Sequence, residues 1–432
     1  MNYTLTGLKI SNKYVPYAGW LVVLYAVVIS YLRFLNHGLV ENTDEAYYCK
    51  EAEYCLHYGF YQSLAQGTSF IYSLLICLFS KIFSLNILSS VHFINLPFYF
   101  ISCFLLLKCF DLFDNLGKIG KYFGLLFYVA IVQYLLFQGL PDIICTTFFL
   151  GTFNLILRQK STLHLIGAGV LLFLGFAVKP VILFTIPGIL LYLLLRNRQI
   201  NGLGRNAMNS IVFLSSFIIC FSIYHLPGYM AYGKLMLEDK GHDYNGSSRV
   251  EHSTSWQELN IYYEVYNVNH KNNKWAVTWE EVSTFKTNHP EIDLKLSYIG
   301  YAKTYPKIWA GNIAKKATFG LANCIQYGFF FAKWTFVNKY IKSVKAIFIL
   351  TFLLMCILFV LERKFISNNI IILIVPFAYY LALSMYTIPQ LEGNWLLCCL
   401  PFIALPVAKF LCRYIDIYLL LTLQLLFLTI PR

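Results

Sequence analysis

A chain of 432 residues that is 58% hydrophobic and only 13% charged cannot be a soluble domain, because one core cannot bury that much apolar surface; it must use lipid as solvent, where only helices or a closed barrel satisfy the backbone. Continuous apolar runs such as 21–32 and 347–361 exclude the residue-by-residue alternation of barrel strands and leave an all-α polytopic membrane protein. The net charge of +13 points to basic cytoplasmic loops and not to nucleic acid, since no basic patch with interleaved aromatics occurs.

In chain order, Lys9 and Lys13 precede a first apolar run of spanning length that no small-x-small cleavage site follows, so it reads as a retained helix. Apolar runs then start near Tyr17, Phe70, His92, Tyr122, Ile143, His164, Val181, Met208, Ala317, Ala346, Asn369, Trp395 and Tyr414, thirteen in all. The positive-inside rule sorts them. With the N-terminus cytoplasmic and the 70–85 run lying on the outer surface, Lys108, Lys118, Lys121, Arg158, Lys160, Arg196, Arg198 and Arg205 all fall inside, and the turn 139–142, free of Lys and Arg, falls outside. A crossing 70–85 run would put every one of those basic loops outside. Ser73, Ser80 and Lys81 interrupt that run, which suits an interfacial helix. The lysine-flanked run 317–336 is read the same way. The expectation is about eleven spans, with thirteen as the alternative, the N-terminus inside and the C-terminus outside.

This divides the chain into an N-terminal transmembrane module, 1–227, whose first external loop spans 36–91; an external region with an interfacial helix, 228–345; and C-terminal transmembrane helices, 346–432. The polar stretch 228–316 is rich in Tyr, Trp, Asn and His and is too long for a turn, which suggests a functional or separately folded loop. Helical signals occur at 279–286 and 292–303. No internal repeat is visible. The twelve cysteines lie mostly in apolar runs as small hydrophobes. Cys49 and Cys55, six residues apart on a helix, point to different faces and are not expected to pair.

Asn42-Thr43-Asp44-Glu45 has the spacing of a capping box opening a helix through Tyr54, which by itself accounts for Glu45. The functional alternative is that Asp44 projects into an external cleft, with Tyr48 on the same side, and takes a proton from a hydroxyl nucleophile. Asp142 follows Pro141 and reads as the N-cap of a helix beginning at Ile143. It can also join Asp44 as a second carboxylate that orients an acceptor or binds a divalent ion. The cofactor is otherwise open. Lys179, between two apolar runs, defies the charge bias: it either snorkels to headgroups or binds a phosphate. Gln390, Glu392, Asn394 and Trp395 line the cleft or anchor the interface. His242, Asp243, Glu251 and His252 match no metal spacing.

Taken in order, Thr43-Asp44-Glu45-Ala46-Tyr47-Tyr48, Tyr58-Gly59-Phe60, Tyr72 with Lys81, Asp142, Val178-Lys179-Pro180 with Pro187, and Trp395 with Leu400-Pro401 resemble the C-type glycosyltransferase superfamily. The branch they resemble is the polyprenyl-phosphate-sugar-dependent one of protein O-mannosyltransferases and lipid A aminoarabinose transferases. Two stretches depart from it: Gln66-Gly67-Thr68-Ser69 stands where that branch often has Gly-x-Pro-Pro or Lys-Pro-Pro, and Asn394-Trp395 where Arg-Tyr is common. The resemblance implies an inverting transfer of a sugar from a polyprenyl-phosphate donor to a hydroxyl acceptor on a lipid, glycan or protein. It gives Asp44 the role of base, with Glu45 and Asp142 beside it, and makes Lys179 and Lys81 candidates for the donor phosphate. It implies an active site on the non-cytoplasmic face, and the size of the chain with its Phe, Tyr, Lys and Asn usage points to a bacterial inner membrane. A transporter or flippase for a lipid-linked sugar, or a glycan polymerase, is the alternative.

Overall fold

The computed structural model describes residues 15–37, 43–65, 71–111, 117–196 and 198–233, with scattered positions between 284 and 313. The described residues are mostly helical and contain no strand. The late runs from 317 onward, including Gln390, Glu392, Asn394 and Trp395, lie outside them.

Among the described residues eleven α-helices follow one another: α1 (Val15–His37), α2 (Thr43–Tyr58), α3 (Phe60–Ala65), α4 (Ile71–Phe83), α5 (Ile87–Phe93), α6 (Asn95–Phe110), α7 (Gly117–Val132), α8 (Asp142–Leu157), α9 (Thr162–Val178), α10 (Ile186–Leu195) and α11 (Arg198–Tyr232). Among the described residues three segments are long and apolar enough to cross a membrane: Val15–Leu32, Ile87–Phe110 and Gly202–Ala231. The last excludes the first turn of α11, which Gly202 breaks with φ 70° and ψ 161°, a conformation only glycine adopts cheaply.

Contacts between helices fix their directions. Going up α1, Gly19 meets the Tyr122 ring and Ser30 Oγ donates to the Gln133 carbonyl at 2.9 Å, so α1 and α7 run parallel. Along α6, the Tyr99 hydroxyl approaches the Val23 carbonyl, Ser102 meets Tyr128 and Phe110 meets Gly124, so α6 runs the other way. Helix α8 runs with α6: Thr147 Oγ1 donates to Phe98 O at 3.0 Å and Arg158 to Lys108 O at 3.2 Å. Such side-chain to carbonyl bonds hold apolar helices where no hydrophobic force favours one partner over lipid. Helix α9 returns upward and packs parallel to α11, with Gly169 against Phe213 O and Ser216 and with Phe176 against Phe221. A Cβ at Gly169 would lie 2.6 Å from Phe213 O, so the close crossing requires glycine. Helix α10 descends beside α11, and its last turn reaches α8 again, because Arg196 donates to Ile156 O and Leu157 O at 2.6 and 3.0 Å. The long helices therefore alternate, α1 up, α6 down, α7 up, α8 down, α9 up, α10 down and α11 up.

Helix α4 is the exception. Its first turn touches α2, through a Tyr48–Tyr72 ring contact of 4.9 Å, and its end feeds α5, whose His92 is back beside α2. Thirteen residues make about 20 Å of helix, short of an apolar thickness of about 30 Å. Both ends of α4 lie at the upper end of the bundle, so it does not run with the alternating set. Its sides also differ: Tyr72, Leu74, Ile76 and Cys77 are buried while Leu78, Ile82 and Phe83 are exposed.

Candidate active site

One polar group of residues forms at the upper end, where α2, α5, α8 and the α9–α10 turn meet. The stretch 133–141 after α7 shapes its floor. Asn95, fully buried, donates through Nδ2 to Leu135 O, Gln138 O and Leu140 O at 3.5, 3.0 and 3.0 Å. His92 Nδ1 lies 2.8 Å from Phe137 O. A carbonyl only accepts, so Nδ1 carries the hydrogen and the ring is fixed. The Tyr31, Phe34, Phe93 and Phe137 rings close over this stretch.

Glu45, 6% exposed, reaches across to this floor. Its Oε1 is 3.1 Å from His92 Nε2, and its Cγ and Oε2 lie where a Cβ on Gly139 would be, at 2.5 and 2.9 Å. Any side chain at 139 would displace it. The carboxylate that spacing alone assigned to a helix cap thus bridges to another helix. Helix α2 itself continues to Tyr58, one turn past the expected end at Tyr54.

Asp142 is 2% exposed. It is not the N-cap: Pro141 holds that position, Cys145 N–H bonds Pro141 O at 2.9 Å, and Asp142 is the first helical residue. Its Oδ1 instead takes the Lys179 ammonium at 2.6 Å. Lys179 is available there because Pro180 forbids helix at the preceding residue. The Lys179 backbone is accordingly extended, with φ −150° and ψ 108°, and α9 stops there. Burial works against the ammonium, but the Asp142 carboxylate outweighs it and raises the Lys179 pKa above its ordinary value. Lys179 therefore neither snorkels to headgroups nor stands free for a phosphate in this state; it is paired inward. A pKa raised by folding stabilises below the unfolded value and is lost only as the pH climbs through the folded value, so the pair stays intact throughout the neutral range.

Tyr48, one turn after Glu45, packs its ring on Tyr72. Burial, then Tyr48, Glu45, Cys49 and Asp142, push the Tyr72 phenol well above its usual range. Cys49 is raised to about 11 by burial first and then by Glu45 and Glu53, so its thiol stays protonated and is a poor nucleophile. The cysteines described, Cys49 and Cys55 included, are free thiols.

Of the residues singled out from sequence, Glu45, Tyr48, Asp142 and Lys179 come together. Asp44 is the second residue of α2, and its side chain lies outside the described set. Lys81 does not join: it is exposed in the last turn of α4, nine residues and about 13 Å of helix beyond Tyr72. Among the described residues no three His, Cys, Asp or Glu side chains lie close enough to hold a metal ion, and the one carboxylate oxygen of Asp142 already engaged faces an ammonium. Sequence reasoning missed His92, Asn95 and Gly139. His92 and Asn95 open an apolar run, where polar residues signal a partner, but nothing in their spacing named Glu45 or the loop carbonyls.

No known protein family, no curated protein and no solved structure matches this chain.

Proposed function

We propose that the protein is a membrane glycosyltransferase that moves a sugar from a polyprenyl-phosphate donor to a hydroxyl acceptor on the non-cytoplasmic face of a bacterial inner membrane. The observation that carries the reading is the convergence of Glu45, Asp142, Lys179 and Tyr48 at the helix ends opposite the basic ones. A donor with an apolar tail stays in lipid there, while its sugar phosphate reaches groups at the surface. Asp44, one residue before Glu45 at the start of α2, is the base that takes the acceptor proton as that oxygen attacks the anomeric carbon. The bond from the anomeric carbon to the phosphate oxygen breaks, with inversion. Lys179, held next to the site by Asp142, is the nearest cation to stabilise the leaving phosphate once the pair opens. A transporter would place its charged groups near mid-membrane on broken helices, whereas Asp142 and Lys179 sit at helix ends.

Transfer of sugar from a synthetic polyprenyl-phosphate sugar in detergent tests the proposal. An enzyme turns over without a sealed membrane. Activity confined to sealed vesicles, as vectorial movement without chemical transfer, would contradict it.

A further inference from the structure

Four buried polar atoms at this site have no protein hydrogen-bond partner, His92 Nε2, Asn95 Oδ1, the Tyr72 hydroxyl and Asp142 Oδ2, and the last two carry the inference. Tyr72 is fully buried and Asp142 nearly so. The other Asp142 oxygen is bound by Lys179 at 2.6 Å. They belong to one neighbourhood, since Tyr72 stacks edge-on against Tyr48, Glu45 one turn before Tyr48 lies on Gly139, and Asp142 follows three residues later. An unmet buried hydroxyl or carboxylate oxygen costs stability and is kept only for a reason. Other buried phenols show what a purely structural one does: Tyr128 donates to Ser102 Oγ at 2.9 Å.

We infer that Tyr72 and Asp142 form a subsite for a neutral hydroxyl of the sugar. The ligand class follows from the two atoms. A phenol donates and accepts; a carboxylate oxygen only accepts. A sugar hydroxyl satisfies both at once, giving its proton to Asp142 Oδ2 and receiving one from Tyr72. An ionised phosphate has no proton to give and is repelled by the carboxylate, and a metal cation would compete with the ammonium already there. Tyr72 and Asp142 thereby favour a sugar hydroxyl over the phosphate. This inference rests on the transfer reading for the identity of the ligand.

The test uses full-length protein in detergent with two probes, a synthetic short-chain polyprenyl-phosphate hexose and the same lipid phosphate without sugar. Wild type binds the sugar-bearing lipid more tightly. In Tyr72→Phe that preference falls about 3- to 10-fold, the worth of one hydrogen bond, and affinity for the bare lipid phosphate is unchanged. Unliganded Tyr72→Phe melts no lower than wild type, whereas Tyr128→Phe melts lower. An unchanged preference in Tyr72→Phe, no preference in wild type, or a Tyr72→Phe melting point that drops as Tyr128→Phe does would each overturn the inference, the last by revealing a structural partner such as a buried water. Wild type that shows the preference but transfers no sugar would end the transfer reading and leave the subsite standing.

Discussion

The two ends of the bundle solve opposite problems with charge. At the lower end, Arg158 and Arg196 sit where helices stop and Lys121 near the start of α7, and they hold carbonyls or an exposed acid: Arg196 donates to Ile156 O and Leu157 O, Arg158 to Lys108 O, and Lys121 pairs with Asp111, which is 45% exposed. Cations suit helix C-termini, and exposed ones cost little to place. At the upper end the acids are buried and held by side chains: Glu45 lies beside His92, Asp142 pairs with Lys179, and Glu51 takes hydrogen bonds from Tyr47 and Ser73. Buried pairs are poor stabilisers relative to an apolar core. The lower end therefore anchors, and the upper end carries a chemical arrangement that anchoring does not require.

That contrast can be broken from its strongest side first. Lys179→Met leaves Asp142 buried and unpaired and is expected to cost about 3–5 kcal/mol. The double variant Asp142→Asn with Lys179→Met recovers most of that loss, because both charges are gone. Thermal unfolding in detergent reads both, and a double variant no better than the single would remove the buried pair from the account. Next in size is Asn95→Leu, which strands the carbonyls that hold 133–141. About 2–3 kcal/mol is expected, with Glu45 losing its floor; a silent substitution would show that the stretch holds itself. At the lower end Arg196→Ala should cost only about 1 kcal/mol, since water reaches the carbonyls it leaves. Asp111→Asn should fall below about 1 kcal/mol. Equal losses at both ends would erase the distinction.

The smallest effect reads the local field. Cys49 is held at about 11 by burial and by Glu45 and Glu53, so its thiolate fraction at pH 8 is about a hundredfold below that of a thiol at the reference value of 9.0. Raised pKa means the reactive form appears only as the pH climbs through 11. Iodoacetamide labelling followed by mass spectrometry should show slow modification, quickened in Glu45→Gln. Labelling unaffected by that substitution would mean the Glu45 charge does not reach Cys49.

The up-and-down order was legible because it rests on loop charge, a property that survives without coordinates: Lys118, Arg158 and Arg196 could be sorted by sign alone, and α4 had to stay on one side once they were. The meeting of Glu45, Asp142 and Lys179 was legible only as a set of suspects. Pro180 explains why Lys179 is free of a helix, but nothing local says that its ammonium turns to Asp142 and not to lipid. Glu45 was hidden by a competing explanation, since the capping-box spacing is real and the side chain nonetheless goes elsewhere. The role of His92, and that of Tyr72 beyond its place in the ordered resemblance, were unreadable for a different reason. One matters through a backbone carbonyl contributed by Phe137, the other through a partner it lacks, and neither fact leaves a mark in one dimension. Lys81 lies in the last turn of α4, away from the turn that carries Tyr72.

The most direct test of the account is sugar transfer by purified Asp44→Asn beside wild type, with the melting temperature of each recorded in the same detergent. The account predicts an unchanged melting temperature and transfer from the polyprenyl-phosphate donor reduced by about a hundredfold or more, the worth of a positioned general base. Transfer within a few-fold of wild type would contradict it.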